Sequence, residues 1–463
     1  MIDLDSTRPP TVAPRPPPAR APGQPPRPGA RARFVTAVAT ILCAGVIAYY
    51  ISPLWQRLDT WGGTFDWGYF FFMAEVDRKT VVEFGQFPLW NPYYCGGSVH
   101  LANPQTYFLS PTFLFIWAFG TPIGLRLMIT AAIVMAADGM RRFLGSLGVG
   151  SVGALVGGTG YAVSGAIAQH LGGGHVAWLG FCVLPYVLHS FNRAFSGQRR
   201  HILYGGLFLA WIFGHFGGYS YPYAALTLGV WGIFWSASAG RLGRGIATVV
   251  WMVGLSLGLC AVRLLPILEF MRGHPHILPD VDIVSPLEFG EIYAAHHRAR
   301  GAAGHPYVWP EYGNYLGIAA VALMAVGIWT VVWRKKALRP LLTSMLVFVA
   351  FQIGNVPGFP WWLVKHLPIF HFMRAPSRFT TVVGLFACAL AGLAVDRLQD
   401  PLAHARAASG RDGADAREGA GAGARAREGW LGTLVIALLA LVFLIDAARF
   451  NREQWLQTLT TPP

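Results

Sequence analysis

Residues 65–97 read FDWGYFFFMAEVDRKTVVEFGQFPLWNPYYCGG. They follow the first long apolar run of the chain and break its character. Asp66, Glu75, Asp77 and Glu83 gather here, in a protein with only 13% charged residues. Eleven residues in the stretch are Phe, Tyr or Trp. Such aromatics settle at the headgroup level of a bilayer, so the stretch is expected to lie on the membrane as ordered, short amphipathic helices. Carboxylates kept at such a boundary are candidates for chemistry, because ionisable groups are costly there.

Working outward, the 463 residues are 54% hydrophobic with a mean hydropathy of +0.44. Runs of roughly 20 apolar residues suffice to cross a bilayer. They are read at 35–55, 121–140, 151–168, 175–192, 202–216, 221–238, 245–266, 313–333, 340–355, 377–396 and 430–447. The expected fold is thus an all-α polytopic integral membrane protein with about eleven spans. The segment 107–119 is too short to cross and is expected to lie in the interface or re-enter.

The formal charge of +14 does not imply nucleic acid, which would call for a basic soluble domain. Arginine instead clusters in the N-terminal tail, 141–146, 192–201, 240–245, 333–340 and 396–429. These blocks fall on every second connection, and the positive-inside bias makes that side cytoplasmic. Residues 1–34, rich in Pro and Arg, and 398–429, rich in Ala, Gly and Arg, have little to bury and are expected to be disordered. Between them, 35–397 forms the core, with opposite-side loops at 56–120, 267–312 and 356–376. Residues 430–463 supply a last span and a short extracytoplasmic tail. Most histidines and loop carboxylates fall on that opposite face.

Several classes drop out. The five cysteines show no CxxC and no metal-type spacing. No GxxxxGK[ST] phosphate loop occurs, and no Ser-His-Asp signature is found. The glycine pairs at 157–158, 172–174, 205–206 and 217–218 suit close helix packing.

Asp66 is the leading general base, and helix capping is its plainer role. Asp77 and Glu75 are the second-choice acids; with Arg78 and Lys79 they otherwise form a solvated helix face with i,i+3 and i,i+4 pairs. Trp90 and Asn91 lie in a turn fixed by Pro88 and Pro92, placed either to contact a sugar or to anchor the loop. His170 and His175 flank LGGG and are assigned to substrate hydrogen bonding. A two-histidine metal site would want a carboxylate, which that loop lacks although Asp66 could approach in the fold; no metal or other cofactor is expected. Glu269 and Arg272 are further substrate-contact candidates. Arg263, in an apolar run, should pair with an acid or a phosphate. Arg374 and Arg378 open a helix on the side that positive-inside bias disfavours. Their forks suit a phosphate, with a salt bridge to Asp280, Asp282 or Glu288 as the alternative.

Five stretches together resemble the YfhO-like bacterial membrane proteins: Asp66 with EFGQFPLWNPYYCGGSVHLANPQTYFLSPTFLF (83–115), RRFLGSLGVGSVGALVGGTGYAVSGAIAQH (141–170), LLPILEFMRGHPH (264–276), EYGNYLGIAAVAL (311–323) and FHFMRAPSRFTTVVGLFACALAGLAVDRL (370–398). They occur in that family's order over nearly the whole membrane portion. That family is similar to the GT-C glycosyltransferases, which place a sugar from a polyprenyl-phosphate carrier on an acceptor. The resemblance implies a GT-C-like helical bundle in the bacterial inner (cytoplasmic) membrane. It also implies a catalytic acid at Asp66, a polyprenyl-phosphate-linked sugar donor and an extracytoplasmic glycan or lipid acceptor. The chain is shorter than is usual for the family. A non-catalytic subunit binding lipid-linked glycan, or a transporter or flippase for one, are the alternatives.

Overall fold

The computed structural model describes residues 30–56, 58, 66–215, 217–274, 282–296, 304–367, 369–409 and 419–459, the side chains of 31, 397–433 and 456–459 excepted. The expected tail 1–34 therefore lies almost wholly outside the described residues. So does the middle of 398–429, which helices Thr380–Ser409 and Gly419–Leu459 enter from either side.

Each of the eleven apolar runs is helical, but they are not alike. Among the described residues, six helical segments are individually long and apolar enough to cross a membrane: Ala32–Ile51, Thr121–Ser146, Ser151–Gly172, Leu242–Gly273, Pro376–Asp396 and Leu434–Trp455. Ile318–Trp333 and Lys336–Gln352 form a pair bent by 115°. The architecture is all-α and polytopic, as expected; these six segments, or seven with the bent pair, meet the length and composition for crossing on their own. Arg200–His215 is shorter: its 16 residues reach about 24 Å at 1.5 Å per residue.

Burial sorts these helices into layers. Pro376–Asp396 is the central one, with 94% of its apolar window buried. Its run of Ala and Gly lets neighbours approach closely, as small residues do between membrane helices. A side chain on Gly392 would collide with the Gly153 carbonyl, and one on Gly327 with the Leu390 carbonyl. Leu242–Gly273 is peripheral and leaves Val250, Trp251, Val262 and Leu265 exposed. That is the pattern of a helix facing hydrocarbon on one side.

Buried amides join the layers where helices break. Asn314 accepts from the Ala166 N–H at 3.0 Å and donates to the Thr380 carbonyl at 2.8 Å. Asn451 donates to the carbonyls of Val163 and Tyr315. These bonds satisfy backbone groups freed between Ser151–Ala162 and Gly165–Gly172, as a low-dielectric interior requires.

The basic connections meet at one end. Asp396 there accepts from the Gly150 N–H and from Lys335, and Asp138 gathers Arg141, Arg142 and Tyr186. The first loop occupies the other end. It consists of the Trp67–Val82 helix, a two-residue antiparallel pairing of Trp90–Asn91 with Ser98–Val99, and short helices at Pro111–Phe113 and Leu114–Phe119.

Candidate active site

At the loop end, four separate segments converge. Helix Gly165–Gly172 ends in a turn through Gly173 and Gly174 that returns His175 beside His170. Gly174 has φ +91°, and a side chain there would strike the Trp67 amide. The turn docks on the start of the first-loop helix through the Asp66 N–H, which donates to the Gly173 carbonyl at 3.1 Å. Trp67 Nε1 adds a bond to the Leu171 carbonyl at 2.9 Å. Asp66 is thereby fixed opposite the histidine turn, its Oδ2 lying 3.3 Å from His175 Nε2.

Asp66 occupies the N-cap position of Trp67–Val82 but makes no side-chain capping bond. Its side chain is 58% exposed, open to an incoming ligand. His170 is fully buried; its Nδ1 lies 2.7 Å from His175 Nδ1, and its ring stacks on Trp178 at 3.4 Å. His170 Nε2 has no partner.

The third segment is the turn Trp309–Glu311 and the fourth is Pro376–Phe379. Arg378 grips Glu311 with both arms of its fork, Nε to Oε2 at 2.6 Å and Nη2 to Oε1 at 2.7 Å. The guanidinium also lies 4.3 Å from the centre of the Tyr219 ring. Burial alone would raise the Glu311 carboxyl, but the adjoining Arg378 charge and its hydrogen bonds outweigh it. They hold the carboxyl well below the usual range.

His170, His175 and Glu311 offer ligand atoms within 4.8 Å of one another. Two imidazoles and one carboxylate suit a borderline divalent cation such as zinc or manganese. The orphaned His170 nitrogen and the converging Nδ1 atoms fit that use, and Glu311 would share its oxygens with Arg378. The carboxylate that the 169–175 loop lacks comes from Glu311, some 140 residues later in the sequence.

The structure distributes the other candidates differently. Asp77 is fully buried, bonded to His100, with its second oxygen unpartnered. It does not join the solvated helix face; burial pushes its carboxyl up against the opposing pull of His100. Glu75 stays half-exposed, accepts from Thr121, and lies 3.5 Å from Arg78. Asn91 is also fully buried, its Oδ1 accepting from the Tyr93 N–H at 3.0 Å. That bond serves the turn between Pro88 and Pro92. Trp90 is 53% exposed. Glu269 and Arg272 are exposed on the last turns of Leu242–Gly273, and neither forms an ion pair among the described residues.

The arginines also part company with expectation. Arg378 pairs with Glu311 and not with Asp282 or Glu288; Asp280 lies outside the described residues. Asp282 instead accepts from Tyr312 and the Ser377 N–H, and Glu288 from His305 and the Ser285 N–H. Arg374 stands 5.5 Å from the Tyr307 ring centre and forms no ion pair among the described residues. Among the described residues Arg263 contacts no acid. Its Nη2 donates to the carbonyls of Asn103, Pro104 and Thr106. Glu311 was missed as a site residue although it begins EYGNYLG, a stretch that stands out in the sequence.

No family model matches the chain, and no curated protein matches it. Among solved structures it is similar to the archaeal oligosaccharyltransferase AglB from Archaeoglobus fulgidus, solved in complex with an inhibitory peptide and a dolichol-phosphate. The TM-score is 0.53 at 13% identity, covering 94% of this chain and 56% of that one. The apo form of the Archaeoglobus fulgidus oligosaccharyltransferase gives 0.51 at 12% identity, covering 93% and 56%. ArnT from Cupriavidus metallidurans bound to undecaprenyl phosphate gives 0.46 at 12%, covering 91% and 76%. The likeness is one of fold: a GT-C-like, polytopic, all-α membrane architecture. The chain spans little more than half the length of the oligosaccharyltransferase.

Proposed function

We propose that this chain is a GT-C-type glycosyltransferase that moves a sugar from a polyprenyl-phosphate carrier to an extracytoplasmic glycan or lipid acceptor. One observation carries the reading: an accessible Asp66 held against His175, His170 and the Glu311–Arg378 pair at the loop end of a GT-C-like bundle. The likeness to an oligosaccharyltransferase solved with dolichol-phosphate and an inhibitory peptide supports the donor class. The five ordered stretches support a YfhO-like bacterial protein of the inner membrane, with its basic end cytoplasmic and its loop end outside.

In this reading Asp66 accepts the proton of the acceptor hydroxyl, and the displacement inverts the sugar. The carrier phosphate leaves toward Arg374, whose guanidinium forms no ion pair among the described residues. Arg378, with its fork committed to Glu311, positions that carboxylate. A divalent cation on His170, His175 and Glu311 would supply Lewis-acid stabilisation of negative charge.

Arg374 gives a direct test. Replacement by Lys keeps the charge but loses the bidentate fork. The expected result is a raised KM for the polyprenyl-phosphate donor with Arg374→Lys, and a larger rise with Arg374→Ala, measured as sugar transfer in membranes. Unchanged donor KM in both variants would remove Arg374 from the phosphate site.

A further inference from the structure

On the flank of the bundle, helices Arg200–His215 and Leu242–Gly273 enclose a cavity of about 460 Å³ under Leu109 and Pro111 of the first loop. That size falls in the range of ligand pockets, about 300–1,000 Å³. Its walls include Leu207, Ala210, Leu259 and Cys260, with Arg263 contributing to the lining. The mouth is apolar and open: Leu207, Leu259 and Val262 are 45%, 49% and 67% exposed. None of Asp66, His170, His175, Glu311, Arg374 or Arg378 lines it.

Arg263 sets the chemistry of the occupant. Its side chain is only 1% exposed, and it sits on a membrane-crossing helix. Carbonyl dipoles and Thr106 Oγ1, 3.0 Å from Nη2, solvate the guanidinium, but no carboxylate among the described residues touches it. Asp77, which acts on it through space, spends its hydrogen bond on His100. Arg263 Nε has no partner. A buried cation solvated by dipoles alone is an expensive arrangement, and an anion arriving from the bilayer offsets that cost. An apolar, laterally open chamber with an unneutralised cation in its lining is complementary to an acidic lipid.

We propose that this cavity binds an acidic phospholipid of the bilayer, one acyl chain inside it and the anionic head group toward Arg263. The site also reaches the first loop. Asn103, whose carbonyl Arg263 holds, donates through Nδ2 to the Tyr69 hydroxyl at 3.2 Å. Tyr69 lies in the first turn of the helix that Asp66 begins. The bound lipid thus steadies the segment that carries Asp66.

The test uses the full chain in phosphatidylethanolamine vesicles containing a diazirine-acyl phosphatidylglycerol or the matching phosphatidylcholine. Crosslinked peptides are mapped by mass spectrometry. Peptides containing Leu207, Leu259 and Val262 should label several-fold more with the acidic lipid, while Val250 and Trp251, exposed elsewhere on the same helix, label equally with both. Ala210→Phe, which fills the cavity and leaves Arg263 in place, should abolish the excess. Leu207→Trp at the mouth does the same if the first variant does not fold. Equal labelling by both lipids, or an excess that survives filling, overturns the proposal. So does an excess displaced by polyprenyl phosphate at equal mole fraction, which would make the cavity part of a carrier site.

Discussion

Asp66→Asn should lower the turnover of sugar transfer by about 10²–10⁴-fold, the usual contribution of a general base. Donor KM and thermal stability should stay near those of the parent protein. Asn is nearly isosteric with Asp and is equally favoured at an N-cap, and Asp66 has no side-chain capping bond to lose, so the start of Trp67–Val82 is undisturbed. The structure sharpens the case, because Asp66 makes no capping bond and turns toward His175. The amide stays beside the imidazole but cannot accept the acceptor's proton. Kinetics with a polyprenyl-phosphate sugar, alongside melting curves in detergent, separate the two roles. Full turnover in Asp66→Asn would remove the base from this residue, and burial makes Asp77 a poor replacement.

Glu311→Gln should be the most destabilising conservative change at the site. It leaves Arg378, bonded in a fork and packed beneath Tyr219, without its counter-charge. Breaking a buried pair from one side costs about 3–5 kcal/mol. The pH dependence has a definite sign. Arg378 holds the Glu311 carboxyl below its ordinary value, so the pair's contribution is complete above about pH 4.3, the unfolded value. It is lost as pH falls through the lower folded value. The gap in melting temperature between parent and Glu311→Gln should therefore be constant near neutrality and close only in strong acid. A cost below about 1 kcal/mol, as for an exposed pair, would show that the pair does not hold the Trp309–Glu311 turn on Pro376–Phe379.

The helical segments were legible because hydrophobic runs report directly on burial in lipid or core. Which of them cross alone was not, since Arg200–His215 and the bent pair are apolar enough yet short. The first loop stood out by its aromatics and acids. Composition could not tell Asp66, left open at a helix start, from Asp77, buried on the same helix against His100. The histidine pair was readable from its five-residue spacing. Its carboxylate neighbours come from positions 66 and 311, and such long-range meetings leave no local signal. Arg263 shows the same limit. Its burial was predictable, but the carbonyls that receive it belong to a loop some 160 residues earlier.

The central claim is that this chain itself transfers sugar at the Asp66 cluster. The most direct measurement supplies the purified protein, alone in liposomes, with a radiolabelled polyprenyl-phosphate sugar and a bacterial cell-envelope lipid and glycan fraction. Label is expected in the acceptor fraction, with polyprenyl phosphate released in equal amount, and both are lost in Asp66→Asn. Donor that binds but is never consumed by the parent protein would contradict the claim and make the chain a lipid-linked-glycan binding subunit.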